Sequence, residues 1–131
     1  MTSQKMELVF RFILFLAGLV NVLPAALAFL PQRIAKAYGI EVPDVNYELL
    51  LRHRAVLFGL VGGLMIYSAL TKKHYEVASL IGLVSMISFI VLYFLMGRGV
   101  NAELRKVMQI DIGGTIVLAI GLVLYWWKVA Q

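Results

Sequence analysis

Cysteine is absent from the chain, which removes disulfide frameworks, thiolate zinc sites, iron–sulfur clusters and cysteine nucleophiles together. Charge is scarce as well. Asp, Glu, Lys and Arg make up 15% of the 131 residues, where about 25% is usual in soluble domains. With 62% of residues apolar and a mean hydropathy of +0.90, too little polar surface remains to cover a water-soluble globule. Proline occurs only at positions 24, 31 and 43, so everything after Pro43 is free of that helix breaker. Also missing are a phosphate-binding loop, a Gly-x-Gly-x-x-Gly turn, a Gly-x-Ser-x-Gly elbow and a His-Glu-x-x-His pair, which leaves standard nucleotide and hydrolase chemistry without support.

What the chain has instead is long apolar runs. Crossing about 30 Å of hydrocarbon takes about 20 apolar residues as helix, and four regions supply them. Helices are expected over about 8–30, 45–71, 76–97 and 102–128, in one transmembrane domain covering residues 1–131. The fold class that follows is all-α: an antiparallel four-helix bundle in the membrane, both termini on one side. The start imitates a secretory signal, with Lys5 and Arg11 ahead of Ala25-Ala26-Leu27-Ala28, but Glu7 is out of place in a signal's basic end and the segment reads as the first span. Tyr125, Trp126, Trp127 and Lys128 close the last span as an interfacial anchor.

The link between the first two spans is the longest. Pro31 suits the first position of a short helix, in which Ile34, Ala37 and Tyr38 share a face opposite Arg33 and Lys36, so this piece is expected to lie in the interface until Gly39 ends it. Pro43 and Asp44 then supply a stop and an N-cap for the second span, and Asn101 caps the fourth, with Glu103 in its first turn. Gly18-Leu19-Val20-Asn21 and Gly82-Leu83-Val84-Ser85 hint at a two-helix repeat.

Twelve basic against seven acidic residues leave a net charge of +5. The basic residues are strung along the inter-helix segments rather than gathered on one face, which points to membrane lipid as the partner and away from nucleic acid. Lys5, Arg11, Lys72, Lys73 and Lys128 fall on the side of the termini, and Arg33, Lys36, Arg52, Arg54, Arg98, Arg105 and Lys106 on the other. Several of the latter sit at membrane depth or beside acids, whereas Lys72 and Lys73 fill a tight turn, so the protein is read as a multi-pass cell-membrane protein with cytoplasmic termini.

Polar groups in hydrocarbon cost several kcal/mol unless paired, so an ionisable residue inside a span is a functional-site candidate. Asp111 is the foremost case, one turn inside the fourth span, with Gln109 nearby and Gly114 and Thr115 on its own face. Glu48 and Arg52, four apart on the second span, and Arg54 a little round the surface, lie at the same membrane face. An ion pair of Asp111 with Arg52 or Arg54 is expected, and breaking a buried pair costs about 3–5 kcal/mol. These residues, with Asn21 as a floor, form a candidate pocket for a small amphipathic or anionic ligand between the second and fourth spans. Asn21 has a plainer use, bonding the carbonyl freed by Pro24. His53 and His74 stand too far apart to share a metal and lack ligand-spaced partners, so neither metal nor cofactor is expected. Gly59, Gly62 and Gly63, with Gly113 and Gly114, are expected to let helix backbones approach. Ser79, Ser85 and Ser88 are expected to bond within or between helices. Met65, Met86, Phe89, Tyr93 and Phe94 are read as packing and lipid contact.

The stretch Leu50-Leu51-Arg52-His53-Arg54-Ala55-Val56-Leu57-Phe58-Gly59, preceded by Asn21 to Pro24 and followed by Asp111, resembles a group of small four-helix bacterial membrane proteins often labelled phosphopantetheine adenylyltransferase. The soluble enzyme of that name belongs with α/β nucleotidyl transferases carrying a His-x-Gly-His signature, which this chain lacks, so the resemblance implies the architecture and not that chemistry. More distantly, the architecture resembles the DoxX-like four-helix class, whose members act as accessory or redox-linked membrane proteins. Three functions are compatible with the residues: a non-enzymatic membrane protein binding an amphipathic ligand or membrane partner, a membrane enzyme using Asp111 or Glu48 as acid or base beside an arginine, and a transporter or channel. The last requires a homo-oligomer, because four short helices with so few polar positions line no path alone.

Overall fold

A computed structural model of the chain describes residues 2–26, 30–41 and 43–130. Five helices are present and no strand among the described residues: α1 (Ser3–Ala26), α2 (Pro31–Tyr38), α3 (Val45–Thr71), α4 (Tyr75–Met96) and α5 (Ala102–Ala130). All but α2 are long and apolar enough to cross a membrane. The first begins five residues earlier than the apolar window implied, because Ser3 to Glu7 continue the helix as a polar overhang; the expected end at Leu30 runs through residues 27–29, outside the described residues.

Local chemistry sets most of the boundaries. Asp44 accepts from the backbone N–H of Asn46 at 2.9 Å and Tyr47 at 3.1 Å, an N-cap that starts α3. Asn101 does the same for α5, accepting from the Leu104 N–H at 2.8 Å. Gly39, at φ 61°, ends α2 in a left-handed turn with the Ile40 and Gly39 N–H groups returned to Ala35 and Lys36. The α3–α4 turn uses the same backbone region without glycine, at Lys72 (φ 60°) and His74 (φ 61°).

Around the bundle α1 packs on α3 and α5, and α4 packs on the same two, so that α3 and α5 face each other across a diagonal. The register is antiparallel throughout. Along α1, Arg11 donates to the Ala69 carbonyl, Gly18 lies against Gly62 and Ile66, and Gly59 lies against Ala25. Phe10 meets Gly121 of α5, and Gly82 of α4 meets Met65 of α3 and Leu118 of α5. Phe10, Leu14, Met65 and Leu118 are the large apolar side chains fully buried at the centre. Glycine makes the tightest seam: a Cβ on Gly18 would stand 2.8 Å from Ile66 and 2.9 Å from the Gly62 carbonyl, and one on Gly62 would collide with the Gly18 carbonyl and Val22. Gly59 and Gly114 are also packed, the latter against the Met86 sulfur, whereas Gly63 and Gly113 have nothing within 4 Å of a Cβ position. Those two glycines therefore bring no helices together, contrary to the expectation from spacing.

The ends of the bundle are closed differently. At the end carrying the termini, Glu7 accepts from Lys128 at 2.9 Å and from the Tyr75 hydroxyl at 3.0 Å, joining α1, α4 and α5. Phe10, Tyr75 and Tyr125 pack beneath as three rings with centroids 5.1–5.3 Å apart. At the other end α2 lies over the bundle, touching α3 and α5. Tyr38 is its inward anchor, 8% exposed, while Arg33, Lys36 and also Ala37 face outward. The expected apolar face is thus narrower than its periodicity implied; the Ile34 side chain lies outside the described residues.

Candidate functional site

The site is built on Arg54. Ala55, Gly62, Met65 and Ala69 turn the buried stripe of α3 toward α1 and α4, which leaves Arg54 and Phe58, one turn apart, on the edge of that stripe beneath α2. The guanidinium donates through Nη1 to the Tyr38 hydroxyl at 2.7 Å. It also lies over three aromatic rings, with the carbon 4.6 Å from the Phe58 centroid, 5.0 Å from that of Tyr38 and 5.6 Å from that of Phe89. A cation over an aromatic face gains about 0.5–1 kcal/mol when exposed and about 2 when desolvated, which makes this cage an alternative to a carboxylate partner.

Arg54 stands between two cavities. One, of about 220 Å³, lies between α3 and α4 and includes Phe58, Phe89, Ser85 and Ser88. The other, of about 200 Å³, lies under α2 among α1, α3 and α5, with Arg54, Tyr38, Asn21 and Asp111 as its polar lining. Asp111 reaches this second cavity from α5, where Val107 precedes it by one turn and Ile110 adjoins it. Asp111 lies nine residues into α5, about 13 Å along a helix rising 1.5 Å per residue, so the carboxylate sits below the end of the bundle rather than on it.

The expected ion pair is not formed. Among the described residues Arg52 meets Glu48 on its own helix, at 3.4 Å, and Arg54 meets no carboxylate within 4 Å. The helical offset explains the first: four residues of separation bring Glu48 and Arg52 together on a partly exposed face of α3. The aromatic cage explains the second. Of the sequence-selected residues, Asn21, Arg54 and Asp111 come together in the cavity under α2. Glu48 and Arg52 stay on the side of α3, Gln109 is exposed, and Thr115 is half-buried with a hydroxyl that finds no partner. Asn21, 4% exposed, donates to the Ala17 carbonyl at 2.8 Å, not to that of Val20, which is the acceptor that Pro24 leaves without a helical N–H. His53 is exposed and His74 is in the turn, and no cluster of three potential metal ligands occurs among the described residues.

Tyr38, Phe58 and Phe89 are the site residues that sequence reading passed over. Phe58 had a signal, four residues after Arg54 on the same helix. Tyr38 had a weaker one, an aromatic just before a helix-ending glycine. Phe89 had none, because nothing in α4 marks which of its faces meets α3. Asn101 also does more than cap α5: its Nδ2 donates to the Tyr38 carbonyl at 2.7 Å and the Gly39 carbonyl at 2.9 Å, which fixes α2 over the cavity. Comparison with known proteins finds no matching family model, no similar curated protein and no similar solved structure.

Proposed function

We propose that this multipass membrane protein binds a small amphipathic ligand in the cavity under α2, with its polar end between Arg54 and Asp111. One observation carries the reading: a guanidinium and a carboxylate at membrane depth line the same cavity without contacting one another. Arg54 carries five N–H donors in all, of which the Tyr38 hydroxyl takes one, and Asp111 offers acceptors. Both groups face the cavity, so one molecule bonding to the two replaces the water that would otherwise hydrogen-bond them. The surrounding walls, Leu23, Pro24, Phe58 and Val107 among them, are apolar and suit the rest of an amphipathic molecule. The orientation carried with this proposal keeps both termini in the cytoplasm, on the strength of the exposed Lys72–Lys73 turn, and opens the cavity toward the opposite leaflet.

Native mass spectrometry of the protein purified in mild detergent tests the reading. A bound molecule that stays on the parent and is lost from both Arg54→Gln and Asp111→Asn is the expected result. Retention by both variants would remove the site.

A further inference from the structure

We infer that the ligand is a single-chain lipid with an uncharged, hydroxyl-bearing head, its chain lying in the groove between α1 and α5. This rests on the proposed head site and adds the chain, the number of chains and the charge of the head.

The groove, of about 460 Å³, is almost wholly apolar. Small residues make it: Ala17 on α1 and Gly113 and Gly114 on α5 leave a trough, with Met86 of α4 also lining it. Val20 and Ile110 line this trough and the cavity under α2 alike, so the two recesses adjoin. From Pro24 at the polar end to Phe12 at the apolar end is about 18 Å along α1, close to the roughly 15 Å of one leaflet's hydrocarbon. A lipid in the leaflet on the α2 side therefore enters with its head and chain already pointing the right way.

The α1–α5 trough takes one chain. The cavity between α3 and α4 lies on the far side of Arg54 and Phe58, with the guanidinium and the Phe58 and Phe89 rings between it and the trough. A head with a net charge is disfavoured because the site's own charges already oppose each other. An anionic head would gain Arg54 but lie against Asp111, and a cationic head would do the reverse, each giving up hydration for a compensated site. A head with a carbonyl or hydroxyl oxygen for Arg54 and a hydroxyl proton for Asp111 satisfies both.

The test uses the full chain in detergent, titrated with three probes and followed by native mass spectrometry: an eighteen-carbon monoacylglycerol, a four-carbon monoacylglycerol, and a lysophosphatidylglycerol with the eighteen-carbon chain. The long monoacylglycerol is expected to bind once, at least about tenfold tighter than either other probe, a difference of about 1.4 kcal/mol. Gly113→Leu fills the trough, and a Cβ there meets no atom within 4 Å, so the bundle is left intact. That variant should lose about tenfold toward the long monoacylglycerol alone, while Gly63→Leu, where a Cβ also has open space, should bind like the parent. Equal binding of the two monoacylglycerols, or no effect of Gly113→Leu, would overturn the chain site. Tighter binding of the lysophosphatidylglycerol would overturn the uncharged head while leaving the head site itself standing. Failure of all three probes would remove the proposed function as well.

Discussion

Arg54 exchanges a carboxylate for aromatic faces, and this decides how its neighbours respond to substitution. Because Asp111 is not engaged in an ion pair, Asp111→Asn should leave the melting temperature in detergent unchanged or slightly raised, where breaking a buried pair would lower it by the equivalent of about 3–5 kcal/mol. A large drop would show that a direct pair does form. Arg54→Lys keeps the charge but loses the planar face that stacks on Phe58 and Tyr38, and thermal unfolding should report a loss of about 1–2 kcal/mol. Lys72 tests backbone strain independently of the site. Its left-handed conformation suits glycine, so Lys72→Gly should raise stability by up to about 1 kcal/mol in the same measurement.

Among the elements, α2 is the one whose position depends on few contacts. Eight residues form no stable helix alone, so the Schellman-type end at Gly39, the Tyr38 anchor and the two hydrogen bonds from Asn101 hold it in place. Asn101→Ala removes those bonds and the α5 cap together, at a cost of about 2 kcal/mol. Hydrogen exchange should then rise over residues 31–40 and in the first turn of α5, with α1 and α4 unaffected. Exchange rising evenly through the bundle would instead mean that α2 is held as part of the whole.

For the whole molecule, association rests on shape. Lipid tails are as apolar as the helices, so the close seam of Gly18 against Gly62 supplies what a hydrophobic drive supplies in water. Gly62→Val should separate α1 from α3 and cost about 2–3 kcal/mol or more, whereas Gly63→Val, one residue on and facing open space, should be close to neutral. Thermal unfolding of the pair is a direct comparison. At the termini, Glu7 ties three helices through Tyr75 and Lys128, the counterpart of the α2 closure at the other end.

The four spans, the starts of α3 and α5 and the end of α2 were legible because their causes are local, whereas the start of α1 was not, its polar first turn lying outside the apolar run. Hydrocarbon thickness dictates the length and greasiness of a crossing helix, and Asp44, Gly39 and Asn101 act on backbone groups within a few residues of themselves. Asp111 lies nine residues into α5, deeper than the one turn read from the apolar run, because the polar stretch 102–106 belongs to the same helix. Which residues meet was decided by tertiary structure: Arg54 with Tyr38 and Phe89, and Gly18 with Gly62. In water a buried helix face announces itself by contrast with a polar one. In a bilayer both faces are apolar, so hydrophobic periodicity no longer says which side of a helix meets protein, and the packing of small residues settles it.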